Sequence, residues 1–222
     1  MVAGRRNQEE YNPMNTAKCR TCRRLGKKIF LKGAKCFSPK CAMVKRPFPP
    51  GQIKKNRPSV TDYGREFAEK QKIKAWYGLR ETQFKKYVLE VLKKLTHSKE
   101  QADDLLVRRL EMRLDNTVLK LGFATSHRQA RQLVSHSHLF VNNKKVNIPS
   151  FLVSKGDVIT LAPGASKLKY FQNMTANLKK YTPPAWLKVN ADEIKGEVIG
   201  LPTVQEAALP AELSSVFEHY SK

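Results

Sequence analysis

Four cysteines, Cys19, Cys22, Cys36 and Cys41, are the residues whose type and spacing point most directly to chemistry. They follow the pattern C-x2-C-x13-C-x4-C. Two close pairs joined by a loop suit a tetrahedral ion, because each pair supplies two ligands from one turn. Zn2+ prefers thiolate sulfur, and four thiolates close its shell, leaving no position for water or substrate. The chemistry would be structural, with one Zn2+ per chain. Between Cys19 and Cys36 lie seven Lys and Arg and no acidic residue. Such cations lower thiol pKa and favour the thiolate. A zinc–thiolate centre would in turn offset some of their mutual repulsion. Two disulfides, four unrelated free thiols and an iron–sulfur cluster are the competing readings. The rest of the sequence suggests a reducing compartment, which disfavours the disulfides.

A second group of residues could hold phosphates. The segment TSHRQARQLVSH predicts a helix, with Ser126 and Gln129 in capping-box spacing. Ala130, Leu133 and Val134 would face inward, and Arg128, Arg131 and Gln132 outward on one face. Free N–H groups at that helix start would add to the attraction for phosphate. Then HLFVNNKKVNI reads as a strand, an Asn142-Asn143 turn and a return strand carrying Lys144 and Lys145. Spaced cations of this kind suit recognition of RNA shape more than of single bases.

These candidates sit in a strongly basic frame. The chain has 222 residues and a formal net charge of +23, which favours a polyanionic partner. Residues 1–58 carry net +14, residues 59–112 net +3, residues 113–175 net +7 and residues 176–222 net −1. No apolar run is long enough to span a bilayer, and the N-terminus lacks the apolar core of a signal peptide. The expectation is an intracellular, cytoplasmic protein with no membrane partner.

Four regions must position the candidates. Residues 1–58 read as a basic zinc-binding arm ending in the linker PFPPGQIKKNRPS, whose prolines and glycine exclude helix and central strand. Residues 59–112 read as an α-helical domain. Phe84, Val88, Val91, Leu92 and Leu95 follow helical spacing, as do Leu105, Leu106, Leu110, Leu114, Val118 and Leu121. Gly64 and Gly78 are expected to mark breaks between helices. Residues 113–175 read as a small module in which RLDNTVLKLGF continues a helix to a cap at Gly122, a second helix follows, and GDVITL completes a short antiparallel sheet. Residues 176–222 form a near-neutral C-terminal segment. The fold class is α+β: a zinc-binding arm, a helical domain, and two helices on a short sheet.

The module resembles the RNA-binding domain named after ribosomal protein S-four. Nearly the whole chain resembles that family, in its bacterial, zinc-bearing form. The resemblance rests on the cysteine segment with FSPKC and PFPPG, on DYGREFAEKQK, YGLRETQFKKY, RLEMRLDNTVLKLGFA and QARQLVSHSH, and on VNNKKVNIPSFLVSKGDVI, PPAWLKVN and the terminal HYSK. Three positions depart from its usual pattern. His127 stands where Arg is usual, Arg128 where a small residue is usual, and Ser137 where glycine is usual.

The resemblance implies a structural protein that binds the 5′ domain of small-subunit rRNA at a helical junction and nucleates assembly there. Its implied neighbours are the small-subunit proteins S-five, S-twelve and S-three. It also implies a place near the point where mRNA enters, and an influence on decoding accuracy. It implies further that the C-terminal end packs back near the helical domain, with Trp186, Leu187, Phe217 and Tyr220 as packing candidates. The candidate RNA contacts are then Arg20, Arg23, Arg24, Lys54 and Lys55 in the arm. In the module they are Arg113, Asn116, His127, Arg128, Arg131, Gln132, His136, Lys144 and Lys145. Two rivals share the module: a pseudouridine synthase, with Asp115 of RLDN as its catalytic carboxylate, and a ribosome-associated RNA-binding factor. The first would need a separate catalytic domain, and none follows. The second lacks the cysteine arm and the YGLRETQF segment. No catalytic residue is expected.

Overall fold

A computed structural model describes residues 18–52, 61–95, 100–165, 168–172 and 174–221. The described part of the arm holds three short helices: α1 (Lys18–Leu25), α2 (Ala34–Phe37) and α3 (Ala42–Lys45). The helical region holds α4 (Asp62–Trp76), α5 (Glu81–Leu95) and α6 (Ala102–Glu111). The module follows with α7 (Leu114–Lys120), α8 (His127–Ser135), β1 (Leu139–Val141), β2 (Lys144–Lys145) and β3 (Val158–Leu161). The last part contains α9 (Lys169–Gln172), α10 (Met174–Leu178), β4 (Leu187–Asn190), β5 (Lys195–Val198), α11 (Val204–Ala207) and α12 (Ser214–Ser221). The fold is mixed α+β.

The helix ends follow local chemistry. The Thr61 hydroxyl accepts the Gly64 N–H and starts α4, so Gly64 lies inside the first turn and is no break. Gly78 does end α4. At φ 61° it lets its own N–H reach Ala75 O and the Leu79 N–H reach Lys74 O. Gly122, at φ 80°, closes α7 by the same paired bonds to Leu119 O and Val118 O. A Cβ there would also meet the Tyr181 ring at 2.9 Å. The expected continuous helix through Met112 and Arg113 is broken. Arg113 is extended at ψ 138° and bridges Leu152, which separates α6 from α7.

Ser137 closes α8 as a glycine would. Its N–H reaches Val134 O and the His138 N–H reaches Leu133 O, but its φ is 59°. The left-handed conformation costs a residue with a Cβ about 1–2 kcal/mol. The extra freedom of glycine in the unfolded chain takes back about 0.5–1 kcal/mol. Ser137→Gly is therefore expected to raise stability by roughly 0.5–1 kcal/mol, read as a higher urea midpoint with an unchanged slope.

The sheet is antiparallel, in the order β2-β1-β3-β5-β4. Asn142 and Asn143 both take positive φ and make the tight turn between β1 and β2. The sheet is larger than expected because the β4–β5 hairpin joins it through β5 against β3. Gly196 in β5 is where Leu121 presses on the sheet: a Cβ would lie 2.5 Å from its side chain.

Two main cores result. One runs from Met112 to Val198 and packs α7 and α8 on the sheet. The other joins Ile73, Phe84, Val88, Leu106 and Leu110 to Ala207, Leu213 and Val216 of the C-terminal end. Residues 176–222, expected to pack back toward the helical domain, divide between the two cores. Trp186 and Leu187 belong to the sheet core, whereas α11 and α12 reach the helical region, with Phe217 and Tyr220 packed there. Lys70 and Lys74 of α4, both buried, donate to Glu81 at 2.9 and 2.7 Å, and the Tyr220 hydroxyl donates to it at 2.7 Å. Burial alone would raise the Glu81 pKa, but these donors hold it at about 2.

Candidate nucleic-acid interface

The nine residues of α8 divide by their angle around the axis. At 3.6 residues per turn, positions 128, 132 and 136 form one stripe, and 127, 131 and 134 turn toward the protein. Arg128, Gln132 and His136 are exposed. The Ser126 hydroxyl accepts the Gln129 N–H, as expected of a cap. The Gln129 side chain returns to Thr125, not to Ser126, accepting from its N–H and its hydroxyl. Lys144 and Lys145 are exposed on β2, beside the Asn142-Asn143 turn. Arg20 and Arg24 are exposed on α1, and the described part of the arm contains no Asp or Glu.

Five expected contacts are turned elsewhere. Arg113 is buried and gripped by Asp115, donating to Oδ1 at 3.1 Å and to Oδ2 at 2.8 Å, with another bond to the Tyr87 hydroxyl. Arg131 turns inward to the same carboxylate, at 2.7 and 3.1 Å, and donates to Gly78 O at 3.0 Å. A shift of three residues along a helix rotates a side chain by about 60° relative to Arg128, and Asp115 captures the guanidinium there. Asn116 is buried, with its amide donating to the Glu111 carboxylate at 2.6 Å. His127 is half-buried near the rings of Trp76 and Tyr77. Burial lowers its pKa to about 4 despite the opposing pull of Asp115, so it is neutral at pH 7 and offers phosphate no charge. In the arm, Arg23 spends its guanidinium on Phe48 O, Pro49 O and the Phe48 ring. Lys54 and Lys55 lie outside the described residues.

The RLDN motif thus builds a seam instead of a contact surface. Asp115 is 3% exposed and holds one guanidinium from its own segment and one from α8. Through Tyr87 and Gly78 those same arginines reach the helical region. Glu111, fully buried beside them, also accepts from the Tyr77 hydroxyl at 2.6 Å. Its pKa is raised by burial, against Lys120, Tyr77 and Asn116. The signal for this seam was present in the sequence as alternating acids and bases in RLEMRLDN. Only the break at Arg113 reveals that they face inward.

The cysteines of the arm are unpaired; Cys22, Cys36 and Cys41 are buried and Cys19 is half-buried. All four line one small cavity together with Leu31 and Met43. Burial and the neighbouring thiols push the Cys22 pKa up. As a donor set, four thiols around one cavity match a thiophilic ion. Among the described residues, however, no three His, Cys, Asp or Glu are drawn together as a metal site. A small apolar cluster of Cys22 and Ile29 with Ala75 of α4 seats the arm, flanked by Leu25, Leu31, Met43 and Trp76.

Comparison with known proteins covers both regions. The family model described as "Ribosomal protein S4/S9 N-terminal domain" matches residues 14–111, and that described as "S4 domain" matches residues 112–159. A small ribosomal subunit protein uS4 from Thermodesulfovibrio yellowstonii is 44% identical over 204 residues, covering 92% of this chain and 96% of the relative. The uS4 protein of Caldicellulosiruptor saccharolyticus is 45% identical over the same shares of both chains. The uS4A protein of Bdellovibrio bacteriovorus is 40% identical over 94% of this chain and 99% of its own. Identity at this level over 92% of the chain, with the two family models together matching residues 14–159, means that the chain belongs to the uS4 family of small ribosomal subunit proteins.

Proposed function

We propose that this chain is a non-enzymatic structural protein of the small ribosomal subunit that binds its rRNA directly. One observation carries the reading: the exposed stripe Arg128, Gln132 and His136 stands on the same module as the exposed Lys144 and Lys145 of β2, in a chain of net +23. Arg20 and Arg24 add exposed cations from an arm without carboxylates. The charged members, Arg128, Lys144, Lys145, Arg20 and Arg24, hold phosphates by charge and fix the protein's register on RNA. The 5′-domain junction as binding site, the nucleation of assembly, the cytoplasmic setting, the neighbours S-five, S-twelve and S-three, and the links to mRNA and decoding accuracy belong to the same proposal, on the strength of the family. Relatives that match over the arm as well as the module favour it over a ribosome-associated factor carrying the module alone. Among the described residues no helix is long and apolar enough to cross a membrane.

The pseudouridine synthase reading fails on Asp115. A carboxylate 3% exposed and shared by two guanidiniums offers no access to a uridine ring. For the arm, the reading is one structural Zn2+ held by Cys19, Cys22, Cys36 and Cys41, supported by their shared cavity. The ion would cross-link α1 to the loops around α2 and α3, a task the few apolar residues there perform only in part.

The test is the salt dependence of binding to a 5′-domain fragment of small-subunit rRNA. For Z neutralised phosphates on duplex, log K should fall with log salt at about −0.9Z. Arg128→Ala should weaken binding and make the slope shallower by about one. Affinity that stays constant from low to moderate salt would refute the phosphate reading.

A further inference from the structure

Along α8 and toward α9 runs a groove of about 490 Å³. Leu133 and Phe171 give it an apolar floor, and Leu168 makes an exposed lip. Its polar groups of interest are Gln132, His136 and His138. The two imidazoles lie 5.9 Å apart, and His138 meets the Phe171 ring at 6.3 Å in an edge contact. Two other lining residues are already committed: Gln129 caps Thr125, and the Tyr170 hydroxyl donates to Phe123 O. Gln132, His136 and His138 make no side-chain hydrogen bond within the described residues. Among the described residues, the groove is lined by neither Lys nor Arg.

That combination selects a ligand class. A phosphate would seek the permanent cations that stand outside the groove, on Arg128 and Lys144. A flat ring with a polar edge matches an apolar floor, an imidazole face and an uncommitted amide. Unpaired bases of RNA present such rings, and proteins take them by stacking on aromatic or imidazole planes and by hydrogen bonds to the base edge. We propose that this groove takes one unpaired nucleobase of the bound RNA, stacked on His136 and read at its edge by the Gln132 amide. The proposal rests on the RNA-binding reading above but differs from it in kind. Phosphate contacts carry no sequence information, and a base edge does.

The experiment uses the full chain and the 5′-domain rRNA fragment, with affinity measured across a salt series. Gln132 and His136 are exposed, so their alanine variants should melt as the wild type does. Each is expected to lose about 5- to 100-fold in affinity, as for a removed base contact, with the slope of log K against log salt unchanged. His136→Phe keeps a stacking plane and should bind within a few-fold of wild type. Wild-type affinity in both alanine variants overturns the proposal, and so does a slope shallower by about one, which marks a phosphate contact. A wild-type protein that does not bind the fragment removes the RNA reading and the groove with it. Wild-type binding with unaffected variants removes the groove alone.

Discussion

Asp115→Asn should destabilise the protein by about 3–5 kcal/mol, the usual cost of breaking a buried ion pair from one side. The substitution keeps the shape and removes the charge. Arg113, 3% exposed, would keep its bond to Tyr87 but lose the carboxylate that accepts two of its N–H groups. Arg131 would lose both of its bonds to Oδ2. One amide oxygen cannot serve two guanidiniums, and water reaches the buried one poorly. Because the network also includes Tyr87 and Gly78 O, the damage should fall on the joint between the helical region and the sheet module. Urea unfolding gives the size of the effect. Hydrogen exchange of α7 and of the turn after α4 gives its place. A loss below about 1 kcal/mol, the range of exposed pairs, would show that the seam does not depend on this carboxylate. RNA binding by Arg131→Ala should fall only as far as the fold loosens, because its guanidinium is held by Asp115.

The second large effect concerns the arm. If the four cysteines hold zinc, protein purified without chelator should contain one ion per chain. Cys36→Ser or a strong chelator should then remove both the ion and the order of residues 18–52. Structural zinc in finger peptides supplies about 10–16 kcal/mol, far more than the few apolar contacts around Ile29 can replace. The sheet module has its own core and should survive. Hydrogen exchange should therefore rise in α1 to α3 and stay unchanged in β1 to β5. Zinc content near zero, with the arm fully protected, would assign the arm's stability to Ile29, Ala75 and Trp76 alone.

The local chemistry of the fold was legible in the sequence where it depends on near neighbours. Ser126 as a cap, Gly122 and Gly78 as helix ends, and the Asn142-Asn143 turn each need only a few consecutive residues. The helical stripes through Phe84 and Leu106 were legible for the same reason. Orientation was not. Arg128 and Arg131 share a type and lie one turn apart, yet a partner 16 residues away turns only Arg131 inward. Arg113 and Asn116 look like surface polar groups until a strand-like break places them beside a carboxylate. The β4–β5 hairpin was missed because its turn carries Ile194 at φ 48°, where Gly or Asn would have announced it. A capping box at Thr203 and Glu206, which starts α11, has its signature in TVQE.

The pairing of α4 with α12 sets an order on synthesis. Glu81 is made 139 residues before its donor Tyr220. The core that includes Ile73 and Phe84 is likewise completed by Leu213 and Val216. The sheet module, whose strands end at Val198, has all its parts once that hairpin is complete. On a translating ribosome the helical region must therefore wait, with its apolar face uncovered and α12 not yet made, while the middle of the chain can already settle. Its closure is a long-range event, and contacts between distant parts of a chain form more slowly than local ones. The helical region, written before the sheet module, closes after it.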